Sequence, residues 1–255
     1  MTPTIPFSRQ LELVDGRSAA LRSALAGALD ERVPGCPDWT GRDLIAHLGE
    51  VQRFWAAVIV AGKPDGPPQG PDVPETEPTG DLLDWSERST ATLLAALEDA
   101  GPDRPVWSWW GPTVSGLVAR HQVQEAGVHA WDAEDTVGRD APLGPGDLAA
   151  DGVDEFLSVE VPTNGGWPHP PVTVSVVATD GPGSGWRVAL TEAGGTISTG
   201  APTEEPAGAP AVDTVLSGTA GDLVLALYGR RKVDVLSVTG DPELARRFLG
   251  WFRTE

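Results

Sequence analysis

The stretch Thr113-Val-Ser-Gly-Leu-Val-Ala-Arg-His121-Gln-Val-Gln-Glu125-Ala-Gly-Val-His129-Ala-Trp-Asp132-Ala-Glu-Asp-Thr-Val137 decides the fold. Val114, Leu117, Val118, His121, Glu125, Val128, His129 and Asp132 recur at steps of three and four, which predicts one long helix with these residues on a shared face. That face mixes core-type aliphatics with imidazoles and carboxylates. A carboxylate buried alone costs several kcal/mol or takes up a proton, so Glu125 needs a partner if the face turns inward.

Three further helices precede it. Leu11 to Leu29 carries Leu11, Val14, Leu21, Leu25 and Leu29 at helical spacing, with Pro34 and Pro37 beyond its end. Thr40 reads as the N-cap of a helix over Arg42–Val60, with Asp43 in a capping-box position. Its apolar stripe is Leu44, Leu48, Val51, Trp55 and Val58, and His47 lies beside the stripe on the inward side. Lys63 to Gly80 is a Pro-rich acidic loop, followed by a helix over Asp81–Ala100 and a turn at Trp107-Ser-Trp-Trp110. Four antiparallel helices make a bundle.

Beyond it the period changes. Pro142 to Val161 holds one short helix, and Pro162 to Pro171 reads as a linker. Period-two runs at Val172–Ala178, Trp186–Leu190 and Gly195–Thr199 predict strands, the first two flanking a Gly-Pro-Gly turn. After a loop at Glu204–Pro210 come a strand at Val212–Leu216, a helix at Ala220–Tyr228, a strand at Val233–Val238 and a last helix opened by Asp241-Pro242. The fold class is therefore mixed: a helical bundle over residues 1–161, then a small α+β domain over 171–255, with the boundary between Val161 and Val172.

A net charge of −19 disfavours nucleic acid and anionic membrane surfaces as partners. One cysteine, Cys36, cannot form an internal disulfide, so a reducing compartment fits. Met1–Arg9 lacks the pattern of a secretory signal, and no apolar stretch is expected to reach the ~20 residues a membrane helix needs. The expected location is the cytoplasm.

The chain has four histidines, and His47 can join Glu125 and His129 across the bundle. Two imidazoles and one carboxylate form a common catalytic zinc set with an open fourth position. A Glu–His hydrogen bond in an ordinary bundle is the plainer alternative. A di-iron carboxylate site needs acidic ligands on all four helices with Glu-x-x-His pairs, and here His47 precedes Glu50 in the reverse order.

Val33-Pro-Gly-Cys-Pro-Asp-Trp-Thr-Gly-Arg-Asp-Leu-Ile-Ala-His-Leu-Gly49 resembles the opening motif of the mycothiol-dependent maleylpyruvate isomerase family, part of the wider DinB-like metal-binding bundles. Glu125-Ala-Gly-Val-His-Ala-Trp-Asp132 resembles its second motif. Leu216-Ser-Gly-Thr-Ala-Gly-Asp-Leu, Leu225-Ala-Leu-Tyr-Gly-Arg-Arg and Gly240-Asp-Pro-Glu-Leu resemble its sterol-carrier-like C-terminal domain. The resemblance implies zinc on His47, Glu125 and His129, with mycothiol as a thiol cosubstrate. It implies a zinc-dependent isomerase or S-transferase acting on a small electrophile. Arg230 and Arg231 fall where relatives carry an arginine reaching the cleft, and are the candidate catalytic anchors for a substrate carboxylate. The sequence departs from the family at Gln124, where relatives commonly carry a histidine; His121 lies a turn earlier instead. Cys36, between two prolines, reads as structural, and Trp107, Trp109 and Trp110 read as packing residues or a pocket mouth. Two other functions stay open: a non-catalytic small-molecule or metal-binding module, and a zinc hydrolase with Asp132 or Glu50 as general base.

Overall fold

The computed structural model describes residues 5–70, 74–180, 185–200 and 211–252. The described chain divides into two compact units, 5–144 and 145–252.

The first unit is the bundle. It comprises α1 (Phe7–Leu25), α2 (Gly41–Ala61), α3 (Leu82–Ala100) and α4 (Ser115–Thr136). Helix α1 starts earlier than the apolar spacing predicts, because Pro6 in extended conformation already sets the first turn. Helix α2 opens on the expected capping box: Thr40 accepts from the Asp43 amide and Asp43 accepts from the Thr40 amide at 2.8 Å. Asp81 caps α3 through the amides of Leu83 and Asp84. Two short hairpins were not apparent in the sequence. Strand β1 (Arg32–Val33) pairs antiparallel with β2 (Cys36–Thr40) around Pro34-Gly35, and β3 (Pro105–Val106) with β4 (Thr113–Val114) around the tryptophan turn.

Helix α1 packs along α4 and α2 along α3, and α1/α3 and α2/α4 close the ring. Leu21, Leu25, Leu44, Ile45, Leu48 and Trp85 form the dry centre, with Ala126, Ala130 and Ala133 supplying a flat face of α4. Gly49 is required there, since a Cβ at that position would overlap the indole of Trp85. A polar layer crosses the bundle: Gln52 donates to Ser18 at 2.8 Å and accepts from Thr90 at 2.8 Å. Helix α2 corrects one expectation, because it is 21 residues long and carries an 18-residue stretch of mean hydropathy 1.3, long and apolar enough to cross a membrane by length and composition. That hydropathy belongs to a core element: Leu44, Ile45, Leu48, Trp55, Val58 and Ile59 are all buried.

The second unit holds α5 (Gly146–Thr163), a five-stranded sheet, α6 (Ala220–Leu227) and α7 (Pro242–Leu249). The sheet order is β7-β6-β5-β8-β9, from β5 (Val172–Ala178), β6 (Gly185–Thr191), β7 (Gly194–Gly200), β8 (Thr214–Gly218) and β9 (Ser237–Gly240). Strands β5 and β8 are parallel and the other pairs antiparallel. A helical N-terminal part and an α+β C-terminal part are thus present as the patterning predicts.

Two details differ from it. The expected boundary between Val161 and Val172 assigns the helix before it to the bundle; here α5 packs against β7 and α6, so the contacts divide the chain at Gly144/Pro145. The strand expected over Val233–Val238 is a 3-10 turn at Val233–Val235 followed by β9. Its partner β8 ends at Gly218, where Thr219 caps α6, so the residues before Ser237 have no backbone ladder to join. The Gly181-Pro182-Gly183 turn and the Glu204–Pro210 loop lie outside the described residues.

Candidate metal centre

The capping box fixes where α2 begins, and nearly two turns later His47 emerges toward α4. Its Nε2 lies 3.1 Å from Glu125 Oε1, and His129 Nε2 lies 3.4 Å from the same oxygen. One donor atom from each residue falls within 4.8 Å of the others. The two imidazoles meet edge-on, with ring centroids 5.1 Å apart. His47 and Glu125 keep 21% and 18% of their side-chain exposure, and His129 keeps 6%. The cluster is therefore reachable at one side and sealed at the other. The three residues expected to form a ligand set come together.

Two neighbours support it. Asp132, wholly buried, faces His129 Nδ1 at 3.0 Å. A carboxylate there accepts the Nδ1 proton and so orients Nε2 toward Glu125 and His47. Asp132 is thus an orienting group for His129, not a solvent-facing base. Cys36 Sγ lies 4.0 Å from the same Asp132 oxygen, which gives the buried thiol a structural contact. Trp39, also on β2, lays its ring 4.6 Å from His47 and 6.0 Å from His129. The β1–β2 hairpin therefore walls the centre. Sequence reasoning passed over Trp39, although its place between Cys36 and the Thr40 cap held the signal.

The imidazoles and carboxylates perturb one another's protonation. Burial would raise the Glu125 carboxyl, but His129 and His47 hold it well below the carboxylate range. Burial would lower His129, but Glu125 and Asp132 push it up to about 9. Without a metal, a proton on His129 supplies the positive charge. Glu50, one turn from His47, is raised by partial burial and by Glu77, with His47 opposing.

His121 stands apart from this cluster. It packs against Trp110 at 4.9 Å, Trp55 at 6.1 Å and Trp109 at 6.2 Å. Helices α2 and α4 are therefore antiparallel here, with His47 beside Glu125 and His129 at one level and Trp55 beside His121 further along. Gln124 is buried in the bundle. Arg230 and Arg231 belong to the second unit. Arg230 donates to the Tyr228 carbonyl at 2.9 Å, and Arg231 forms an ion pair with Asp222.

With this geometry established, comparison with known proteins places the chain. The family description "Mycothiol maleylpyruvate isomerase N-terminal domain" matches residues 11–134, and "MDMPI C-terminal domain" matches 147–247. The gap between them spans the same break that divides the two units. No curated protein sequence matches significantly. Two solved structures share the fold: a mycothiol-dependent maleylpyruvate isomerase and a histidine-to-alanine mutant of it. Each aligns with TM-score 0.62 and 16% identity, over 92% of this chain and 93% of the other. Matched in both of its units and in their order, the chain belongs to the mycothiol-dependent maleylpyruvate isomerase family.

Proposed function

We propose that this protein is a metal-dependent enzyme that employs mycothiol, as thiolate, against a small electrophile. The observation that carries the reading is the His47–Glu125–His129 cluster, a donor set suited to zinc. The residues fit such an ion: the nearly sealed His129 and the depressed Glu125 already surround a place for positive charge. A bound divalent metal supplies Lewis acidity that lowers the pKa of a thiol and keeps it ionised at neutral pH.

The chain's own groups do the remaining work. His47, Glu125 and His129 bring two neutral donors and one negative charge, so an anionic sulfur is electrostatically welcome beside them. Asp132 keeps the His129 proton on Nδ1. Trp39 shields the imidazoles of His47 and His129 from water. Arg230 and Arg231 are proposed as cationic anchors for a substrate carboxylate. If the sulfur adds to an activated alkene, the former double bond rotates and the C–S bond then breaks, the outcome is isomerisation; if the C–S bond persists, it is S-transfer. The single cysteine supports a reducing, cytoplasmic setting.

The test is cobalt substitution followed by mycothiol titration. Sulfur ligation is expected to add an intense near-ultraviolet band. No band at saturating mycothiol, in protein with full cobalt occupancy, would overturn the thiol reading and leave a binding module or hydrolase.

A further inference from the structure

The second unit holds a cavity of about 440 Å³ between the end of α6, the 3-10 turn and the last turn of α7. Its deeper wall is apolar: Ala226 is buried, and Val233 and Leu249 are half-buried. Its rim is cationic, with Arg231 half-buried and Lys232 and Arg246 exposed. The chain turns back at this point because Gly229 follows α6 at φ 71°, a conformation suited to glycine, and the next two amides return to the Leu225 carbonyl. Arg231 is held in place: its guanidinium pairs with Asp222, whose other oxygen accepts from the Thr219 hydroxyl at 2.7 Å. Capping does not account for these cations. The Leu225 and Ala226 carbonyls of α6 accept the amides of Arg230, Arg231 and Gly229, and the Arg246 and Phe248 carbonyls of α7 accept those of Gly250 and Trp251. Ion pairing does not account for them either. Arg246 meets Glu243 at 3.2 Å on the open surface, where such a pair is worth little. Lys232 has no ion-pair partner among the described residues. Against these cations the lining sets the carboxylate of Asp234, in a chain whose net charge is −19.

We infer that this cavity takes an amphipathic organic anion, its one carboxylate held by Arg231, Lys232 and Arg246 and its apolar body laid on Ala226, Val233 and Leu249. The inference rests on the proposed role of Arg231 as an anchor for a substrate carboxylate and names what surrounds that anchor; it requires neither the metal nor the thiol. The cavity has the size of a small-molecule site. A carboxylate matches the fork of a guanidinium, and an ammonium beside it adds charge without a fixed geometry. A cationic ligand would meet like charge at the rim. A neutral apolar molecule would gain on the wall but forfeit the charge-assisted hydrogen bonds. A dicarboxylate would either press its second charge onto the apolar wall or keep it in water and leave the wall uncovered.

The experiment uses the full-length protein, zinc-loaded and metal-free in parallel, with octanoate as the probe. Calorimetric titration of both forms is expected to show saturable octanoate binding, at least about tenfold tighter than that of acetate or succinate, with none for octylamine. The affinity should fall as salt is raised. Lys232→Ala and Arg246→Ala should each weaken octanoate by about three- to tenfold without moving the melting temperature, since both side chains are exposed. Val233→Ser should weaken octanoate by about threefold or more and leave the far weaker binding of acetate unchanged. Octanoate binding unaltered in the Lys232→Ala/Arg246→Ala double variant, or octylamine binding as tight as octanoate, would overturn the inference. Octanoate binding intact in protein that lacks the cobalt–thiolate band would sink the thiol reading and spare the cavity. A normal band in protein that binds no octanoate would do the reverse.

Discussion

His121 and His129 occupy one face of α4, two turns apart, and have almost nothing else in common. His129 lies between Glu125 and Asp132, and these carboxylates hold its pKa near 9 despite burial. His121 lies among Trp55, Trp109 and Trp110. The helix presents both imidazoles alike; what differs is the chain segment brought against each. The β1–β2 hairpin and the start of α2 bring Trp39, Cys36 and His47 to one end, and the tryptophan turn closes the other. One end gathers two imidazoles and two carboxylates and the other three indoles, so residue type on a helical stripe does not by itself assign a role.

The largest effect should come from exchanging the two roles. His129→Ala or His47→Ala should reduce bound zinc from about one per chain to near zero, measured by elemental analysis after dialysis. His121→Ala should retain it. Metal loss in His121→Ala, or full occupancy in His129→Ala, would erase the contrast.

The proton on His129 should have the next largest effect. Metal binding must displace it, so apparent zinc affinity should climb by up to about tenfold per pH unit until about pH 9. In the metal-free protein the sign is opposite. A folded pKa raised above the unfolded value contributes stability that is fully present below ~6.5. It is lost as pH rises through about 9. Glu125, depressed in the fold, contributes stability above the ordinary carboxylate range that is lost as pH falls through its lowered value. Melting curves of metal-free protein should therefore decline between pH 6.5 and 9, and His129→Ala should flatten that decline where His121→Ala does not. Asp132→Asn should weaken zinc by roughly 10- to 100-fold, because an amide is free to present its NH2 to Nδ1 and turn the ring.

Much of this was readable from the chain, and the omissions have a common cause. The capping box at Thr40 and Asp43 and the four-residue steps of α4 are local, and they sufficed to bring His47, Glu125 and His129 together. Asp132 stood on the predicted stripe, but its role required knowing that His129 presents Nε2 inward. Trp39 and Cys36 reach the centre only because Pro34-Gly35 folds β1 back on β2, a long-range consequence of a two-residue turn. Helix α5 reads as an appendage of the bundle because its apolar pattern does not name its partner; the surface of β7 and α6 that receives it lies far along the sequence.

The smallest effect should fall on Cys36. Its thiol is a weak donor, 4.0 Å from an Asp132 oxygen whose firmer contact is His129 at 3.0 Å. If the hairpin matters mainly as a wall, Cys36→Ala leaves Asp132 bound to His129 and changes zinc affinity by no more than about threefold. The small cavity from a sulfur removed at a buried position should lower the melting temperature by a few degrees without changing its pH profile. Cys36→Ser separates packing from polarity: a stronger O–H donor to Asp132 would weaken that carboxylate's hold on Nδ1 and lower the His129 pKa. The slope of zinc affinity against pH should then level off at a lower pH than in the parent, with the fully deprotonated affinity nearly unchanged. A shift of that kind in Cys36→Ala would show that the thiol acts on the His129 proton through Asp132, and is more than a part of the wall.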